Sequence, residues 1–154
     1  MRDRLPECGG VLGVSLQSIS VVTLGVSDLE RSRRFYGDGF GWKTVFENEE
    51  ILFFQMNGLV LGLWLADKLS EDMQRAPAPP GSIALAHNVG SPDHVTRLIA
   101  RLVEHGGTVL RPGDAPEHGG FRGYVADPDG HAWEIAHNPA WPIDAEGHVK
   151  FSAS

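Results

Sequence analysis

The apolar, β-branched stretch Ile19–Val26 reads as a strand. Ser27-Asp28-Leu29-Glu30 follows as a Ser-x-x-Glu capping box, which predicts a helix start. Leu29, Phe35 and Tyr36 give that helix an apolar side, and Gly37 and Gly39 are expected to end it. Three short strands are expected next, near residues 42–47, 50–56 and 59–65, the last two flanking the hairpin signal Asn57-Gly58. The second half repeats the order. A strand over Ser82–Val89 leads to a helix capped by Ser91 with Pro92 at its first position. Val95, Leu98, Ile99, Leu102 and Val103 recur at helical spacing as its buried face, and Gly106 and Gly107 stop it. Strands near 107–111, 121–126 and 131–137 complete the half, the last pair joined by Asp127-Pro128-Asp129-Gly130.

The chain therefore reads as βαβββ written twice, with Val26 answering Val89 and Thr44 answering Thr108. Duplicated hairpins beside a helix predict an α+β fold with mixed or antiparallel sheets. The expected layout is a leader over 1–16, a first module over 17–65 and a linker over 66–81 containing Ala-Pro-Ala-Pro-Pro, then a second module over 82–139 and a tail over 140–154.

Composition narrows the function classes. A chain of 154 residues is the size of one domain, and its 42% hydrophobic and 21% charged residues are those of an ordinary soluble protein. A net charge of −7 argues against a nucleic-acid partner, which needs a basic footprint. No apolar run reaches the roughly 18 residues of a membrane span, so no membrane partner is expected. Leu5-Pro6-Glu7-Cys8 has the look of a lipoprotein cleavage site, but no apolar segment precedes it. A single cysteine, Cys8, cannot form an internal disulfide, and a cytoplasmic location is expected.

Two motifs carry a family resemblance over about residues 17–139. Val22-Thr23-Leu24-Gly25-Val26-Ser27-Asp28-Leu29-Glu30-Arg31-Ser32, with Phe35-Tyr36 and Phe40-Gly41-Trp42, resembles the opening module of the vicinal-oxygen-chelate superfamily of glyoxalases, bleomycin-resistance proteins and dioxygenases. Tyr124, Asp127-Pro128-Asp129-Gly130-His131 and Trp133-Glu134-Ile135 resemble its closing hairpin, and Asn138-Pro139 through Pro142-Ile143-Asp144 resembles the tail of a glyoxalase-like subgroup. The resemblance implies two βαβββ modules curving into an open-barrel cup, commonly in a homodimer. In many members the cup holds a divalent metal on one residue from the first and one from the last strand of each module. Carried onto this chain, those positions are Val21, Gly62, Ala84 and Glu134. Only Glu134 has a ligating atom, whereas open catalytic metal sites generally present about three protein ligands. No family-type metal is therefore expected.

Strand parity assigns the cup face. A two-residue turn at Asn57-Gly58 pairs Phe54 with Leu61 and Leu52 with Leu63 under the helices, leaving Phe53, Gln55, Val60, Gly62 and Trp64 on the cup side. Pairing Asp127 with His131 sets Tyr124 opposite Glu134, with Arg122, Ala132 and Ala136 on the same side. Phe53, Trp64 and Tyr124 would form an aromatic wall suited to a planar ligand, or simply fill the cup or a dimer seam. Gln55, Asn88 and Thr23 add neutral hydrogen-bonding groups. Glu134 is a candidate general base or anchor for a cation, or else an ion-pair partner of Arg122.

Of seven histidines, only His118, in Glu117-His118-Gly119-Gly120, is kept as a functional candidate. His94 and His105 lie on the second helix, His131 and His137 point away from Glu134, His148 is in the tail, and His87 is expected as a hydrogen-bonded core residue. The leading function is metal-free binding of a small aromatic or cationic molecule. The alternative is a metal-dependent lyase, isomerase or dioxygenase using displaced ligands, Glu134 with Tyr124 and His118. A third reading is metal-free acid–base catalysis through Glu134 with Tyr124 or His118.

Overall fold

A computed structural model describes residues 15–151. The Cys8 segment and nearly all of the 1–16 leader lie outside the described residues. The first module comprises β1 (Val21–Val26), α1 (Leu29–Ser32) continuing as a π-helical stretch (Arg33–Gly39), β2 (Thr44–Glu47), β3 (Ile51–Gln55) and β4 (Val60–Leu65). After α2 (Ala66–Met73), the second comprises β5 (Ala84–Asn88), α3 (Pro92–Glu104), β6 (Thr108–Asp114), β7 (Phe121–Ala126) and β8 (Ala132–His137). The sheets are ordered β1-β4-β3-β2 and β5-β8-β7-β6, with the first strand of each module parallel to the last. The duplicated α+β architecture is as expected, and the two sheets of one chain do not close into a barrel.

Four local readings need correction. The first helix is capped by Asp28, whose carboxylate accepts from the N–H groups of Glu30 and Arg31; Ser27 instead donates to Asp129 in the other module. Gly37 does not stop the helix. The turn widens to π geometry through Gly39, where a Cβ would lie 3.0 Å from Leu102 of α3, so the bare backbone lets the two helices meet. The first half of the expected linker folds as α2, which lies over β1 at Gly25 through Ala66 and Leu69. Val103 is 40% exposed, whereas Val95, Leu98, Ile99 and Leu102 are buried as expected.

The helix-covered sides of both sheets share one core. Leu24, Val26, Leu52, Phe54, Leu61 and Leu63 from the first sheet are in the same cluster as Val125, Trp133 and Ile135 from the second. Phe40 and Trp42 stack at 4.0 Å between them and meet His87 and Trp133 edge-on or tilted. His87 thus faces the core as expected, but its place there is set by aromatic edges. Burial, with a smaller push from His94, lowers its pKa and keeps the ring neutral. Because the helix-covered sides converge, the opposite faces of the two sheets point away from this core.

The contact between α3 and β7 is unusually close at Gly123. A Cβ there would sit 2.5 Å from the Ile99 side chain and 2.9 Å from the Arg111 carbonyl oxygen. Gly123→Ala should therefore cost about 2 kcal/mol through overpacking. Urea unfolding would measure it, and an unchanged midpoint would contradict the close approach.

Candidate functional site

The β7–β8 turn fixes the geometry of the open face on the second sheet. The Asp127 carboxylate accepts from the N–H groups of Asp129 and His131, and Gly130 takes φ +93°. Asp127 N–H donates to the His131 carbonyl at 2.9 Å, so the turn has the expected register. Tyr124 consequently lies opposite Glu134, and its hydroxyl donates to the Glu134 carboxylate at 2.9 Å. Partial burial, and then this bond, raise the Tyr124 pKa. The phenol stays a donor.

Arg122 shares that face but does not pair with Glu134. Its guanidinium is bonded to Asp114, which Arg111 also holds at 2.9 Å. The hydrogen bond from Arg111 is the main cause of the lowered Asp114 pKa. Asp114 escaped the sequence reading because β6 runs three residues past its expected end at 111, through two register shifts that break strand alternation.

His118, Arg122 and Glu134 line one cavity of about 270 Å³ together with Asn88 and Trp141. Tyr124 joins this group through its bond to Glu134. Trp141 was not anticipated; its only sequence signal is an aromatic residue among the turn-forming residues of the tail. His131 and His137 are engaged elsewhere, their ring nitrogens bonded to the carbonyls of Gly25 and Val89, although His137 also reaches the cavity rim.

Phe53 and Trp64 belong to the first sheet's open face and are not brought to Glu134 within one chain. Gln55 lines an adjoining groove beside Trp42 and His87, which shares Asn88 with the Glu134 cavity. The Gln55 amide is tied to its own turn, donating to the carbonyls of Met56 and Leu59.

The donor set can be tested for a divalent metal. Val21 and Ala84 supply no ligand, and Gly62 supplies none either. A Cβ on Gly62 would lie 3.2 Å from the Phe53 ring and 3.4 Å from Thr23 Oγ1, so that space is already filled. Among the described residues, the one cluster of three His, Cys, Asp or Glu side chains with donor atoms within 4.8 Å of one another is Asp144, Glu146 and His148 of the tail, and Glu134 is not in it. The residues present do not fit the metal centre that the fold implies.

Two modules, a closing hairpin and an open face of this kind define a glyoxalase-like α+β protein. The chain belongs to the Glyoxalase/Bleomycin resistance protein/Dioxygenase superfamily, whose match spans residues 18–135. It is 31% identical over 122 residues to a metallothiol transferase FosB of Lysinibacillus sphaericus (strain C3-41), covering 79% of this chain and 83% of that protein. A glyoxalase-related enzyme from Fulvimarina pelagi, solved by crystallography, is 61% identical with a TM-score of 0.88, over 90% of this chain and all of the other. A glyoxalase/bleomycin resistance protein/dioxygenase structure from Nocardioides shares the fold at 24% identity and TM-score 0.66, covering 82% of this chain and 86% of its own.

Proposed function

We propose that this chain binds a small aromatic or cationic molecule on the Glu134 face of its second sheet, without the family's metal, as a cytoplasmic homodimer. The observation that carries the metal-free reading is the donor set: valine, glycine and alanine stand where three of four ligands would be, with a phenyl ring over the glycine. A carboxylate flanked by a tyrosine hydroxyl, an amide and an indole offers the few convergent polar groups and the apolar wall of a ligand pocket. No helix among the described residues is long and apolar enough to cross a membrane, which accords with the proposed location.

The orientation of the sheets supports the homodimer. Open faces turned away from a shared core can meet only between chains, and a two-fold axis would set the first sheet of one chain over the second sheet of the other, twice. Phe53 and Trp64 of one protomer would then face Tyr124 and Glu134 of its partner. Apolar side chains stand exposed on the first of these faces, with Val21 at 50% and Phe46 at 51%.

The second reading, a metal-dependent enzyme on displaced ligands, is favoured by one observation, the likeness to a metallothiol transferase. It would need Glu134, Tyr124 and His118 to act as ligands. Elemental analysis of protein purified without chelator separates the two. The expected result is far less than one equivalent of zinc, manganese, nickel or iron per chain, with calorimetric binding of an aromatic cation that EDTA does not abolish. Stoichiometric metal that disappears in Glu134→Ala would reverse the ranking.

A further inference from the structure

The C-terminal tail is built: Asn138 and Trp141 line the Glu134 cavity, and the return loop with Ile143, Gly147 and Val149 lines the Gln55 groove. Asn138 turns the chain after β8, its carbonyl accepting from Trp141 N–H at 3.0 Å and its side-chain oxygen from Ala140 N–H at 3.2 Å. The tail then doubles back through an antiparallel bridge between Ile143 and Val149, closed by Lys150 N–H donating to the Pro142 carbonyl. This return sets Phe151 edge-on against the Trp141 indole, with ring centres 5.4 Å apart and planes at 85°. Asn57, in the β3–β4 turn, donates to the Gly147 carbonyl at 3.1 Å and pins the loop to the first module. Trp141 is thereby held at the rim of the cavity that contains Glu134, while remaining 40% exposed.

The charges around that cavity are unequal in freedom. Arg122 is engaged by Asp114, whereas Glu134 has no ion-pair partner among the described residues and accepts only from the Tyr124 hydroxyl. An indole and a carboxylate that neither Arg122 nor Arg111 pairs with line one cavity and form a receptor for a flat cation, because an indole ring and a carboxylate both attract positive charge.

Building on the binding reading above, we infer that Trp141 is the stacking platform that selects a planar aromatic cation, whose charged edge rests on Glu134. A cavity of about 270 Å³ has room for two or three fused rings. The tail is then a specificity element and not merely the end of the chain.

Fluorescence anisotropy with proflavine, a planar three-ring cation, tests this beside anthracene-9-carboxylate, which has the same ring outline and the opposite charge. Wild-type protein is expected to bind proflavine and to bind the anion at least about tenfold more weakly. Trp141→Ala should weaken proflavine binding about tenfold, Trp141→Phe by no more than about threefold, and Glu134→Gln about tenfold. Trp141→Phe also controls for folding, since it keeps a ring against Phe151. If Trp141→Ala binds proflavine like wild type while Glu134→Gln does not, the platform is wrong and the binding reading stands. Tighter binding of the anion would overturn the inferred ligand charge. Failure of wild type to bind either molecule overturns both the inference and the reading it rests on.

Discussion

Tyr36→Phe is expected to destabilise the protein by about 3 kcal/mol although it leaves the ring in place and opens no cavity. The Tyr36 hydroxyl is fully buried, donates to Asp127 at 2.6 Å and accepts from the Trp133 indole N–H at 3.0 Å. Its removal strands two polar groups in the interior, one of them a carboxyl, and an unsatisfied buried group costs roughly 1–3 kcal/mol, more when charged. The loss should depend on pH. Burial raises the Asp127 pKa, and the hydrogen bond from Tyr36 does more than any other contact to hold it down. A carboxyl whose folded pKa is raised favours the folded state below the ordinary carboxylate range, and that contribution is lost as pH rises through the folded value. Without Tyr36 the folded pKa rises further, so the variant's deficit should be greatest near neutral pH and shrink on acidification. Urea unfolding at about pH 7 and pH 4 would show it. An equal deficit at both would mean that Asp127 is not the group left exposed to the interior.

This bond also marks how far the sequence can be read. Phe35-Tyr36 is legible as the apolar side of a helix, and Asp127 as the first residue of a turn, because each depends on local period and turn chemistry. Their union, across 91 positions in the chain, depends on how one module packs on the other. The same boundary runs through the candidate site. Tyr124 opposite Glu134 follows from counting outward from Gly130, since parity within a hairpin is a local property. Arg122 with Asp114 could not be counted, because the irregular β6 shifts register twice before reaching it. Nor could parity say that the face with Phe53 and Trp64 is turned away from the one with Glu134, as it assigns sides within a sheet and not the mutual placement of sheets. Gln55 shows a further limit: it is on the side expected, yet its amide is already used by its own turn.

Val21→Glu should abolish the proposed dimer while leaving the protomer folded, and this is the largest association effect expected of any single change. Val21 begins β1, alternates with the inward Val22, Leu24 and Val26, and is half exposed on the first sheet's open face. In one chain a glutamate there meets water, so the thermal midpoint should move little. In a two-fold dimer through these faces the same residue would be buried twice, beside the apolar Val60 that pairs with it on β4, while Arg122 of the facing sheet is already held by Asp114. Burying an unpaired carboxylate costs several kcal/mol, and at about 3 kcal/mol for each of two equivalent positions the dimer would weaken more than a thousandfold. Light scattering coupled to size-exclusion chromatography distinguishes the outcomes. A wild-type dimer that becomes a folded monomer on substitution supports the cross-chain cup. A dimer that survives Val21→Glu would place the interface elsewhere, and a monomeric wild type would leave Phe53 and Trp64 without any route to Glu134. The position is informative for a second reason. Where the fold elsewhere places a metal ligand on the first strand, this chain places an apolar side chain, so the surface that cannot hold an ion is the one best suited to burial against a partner.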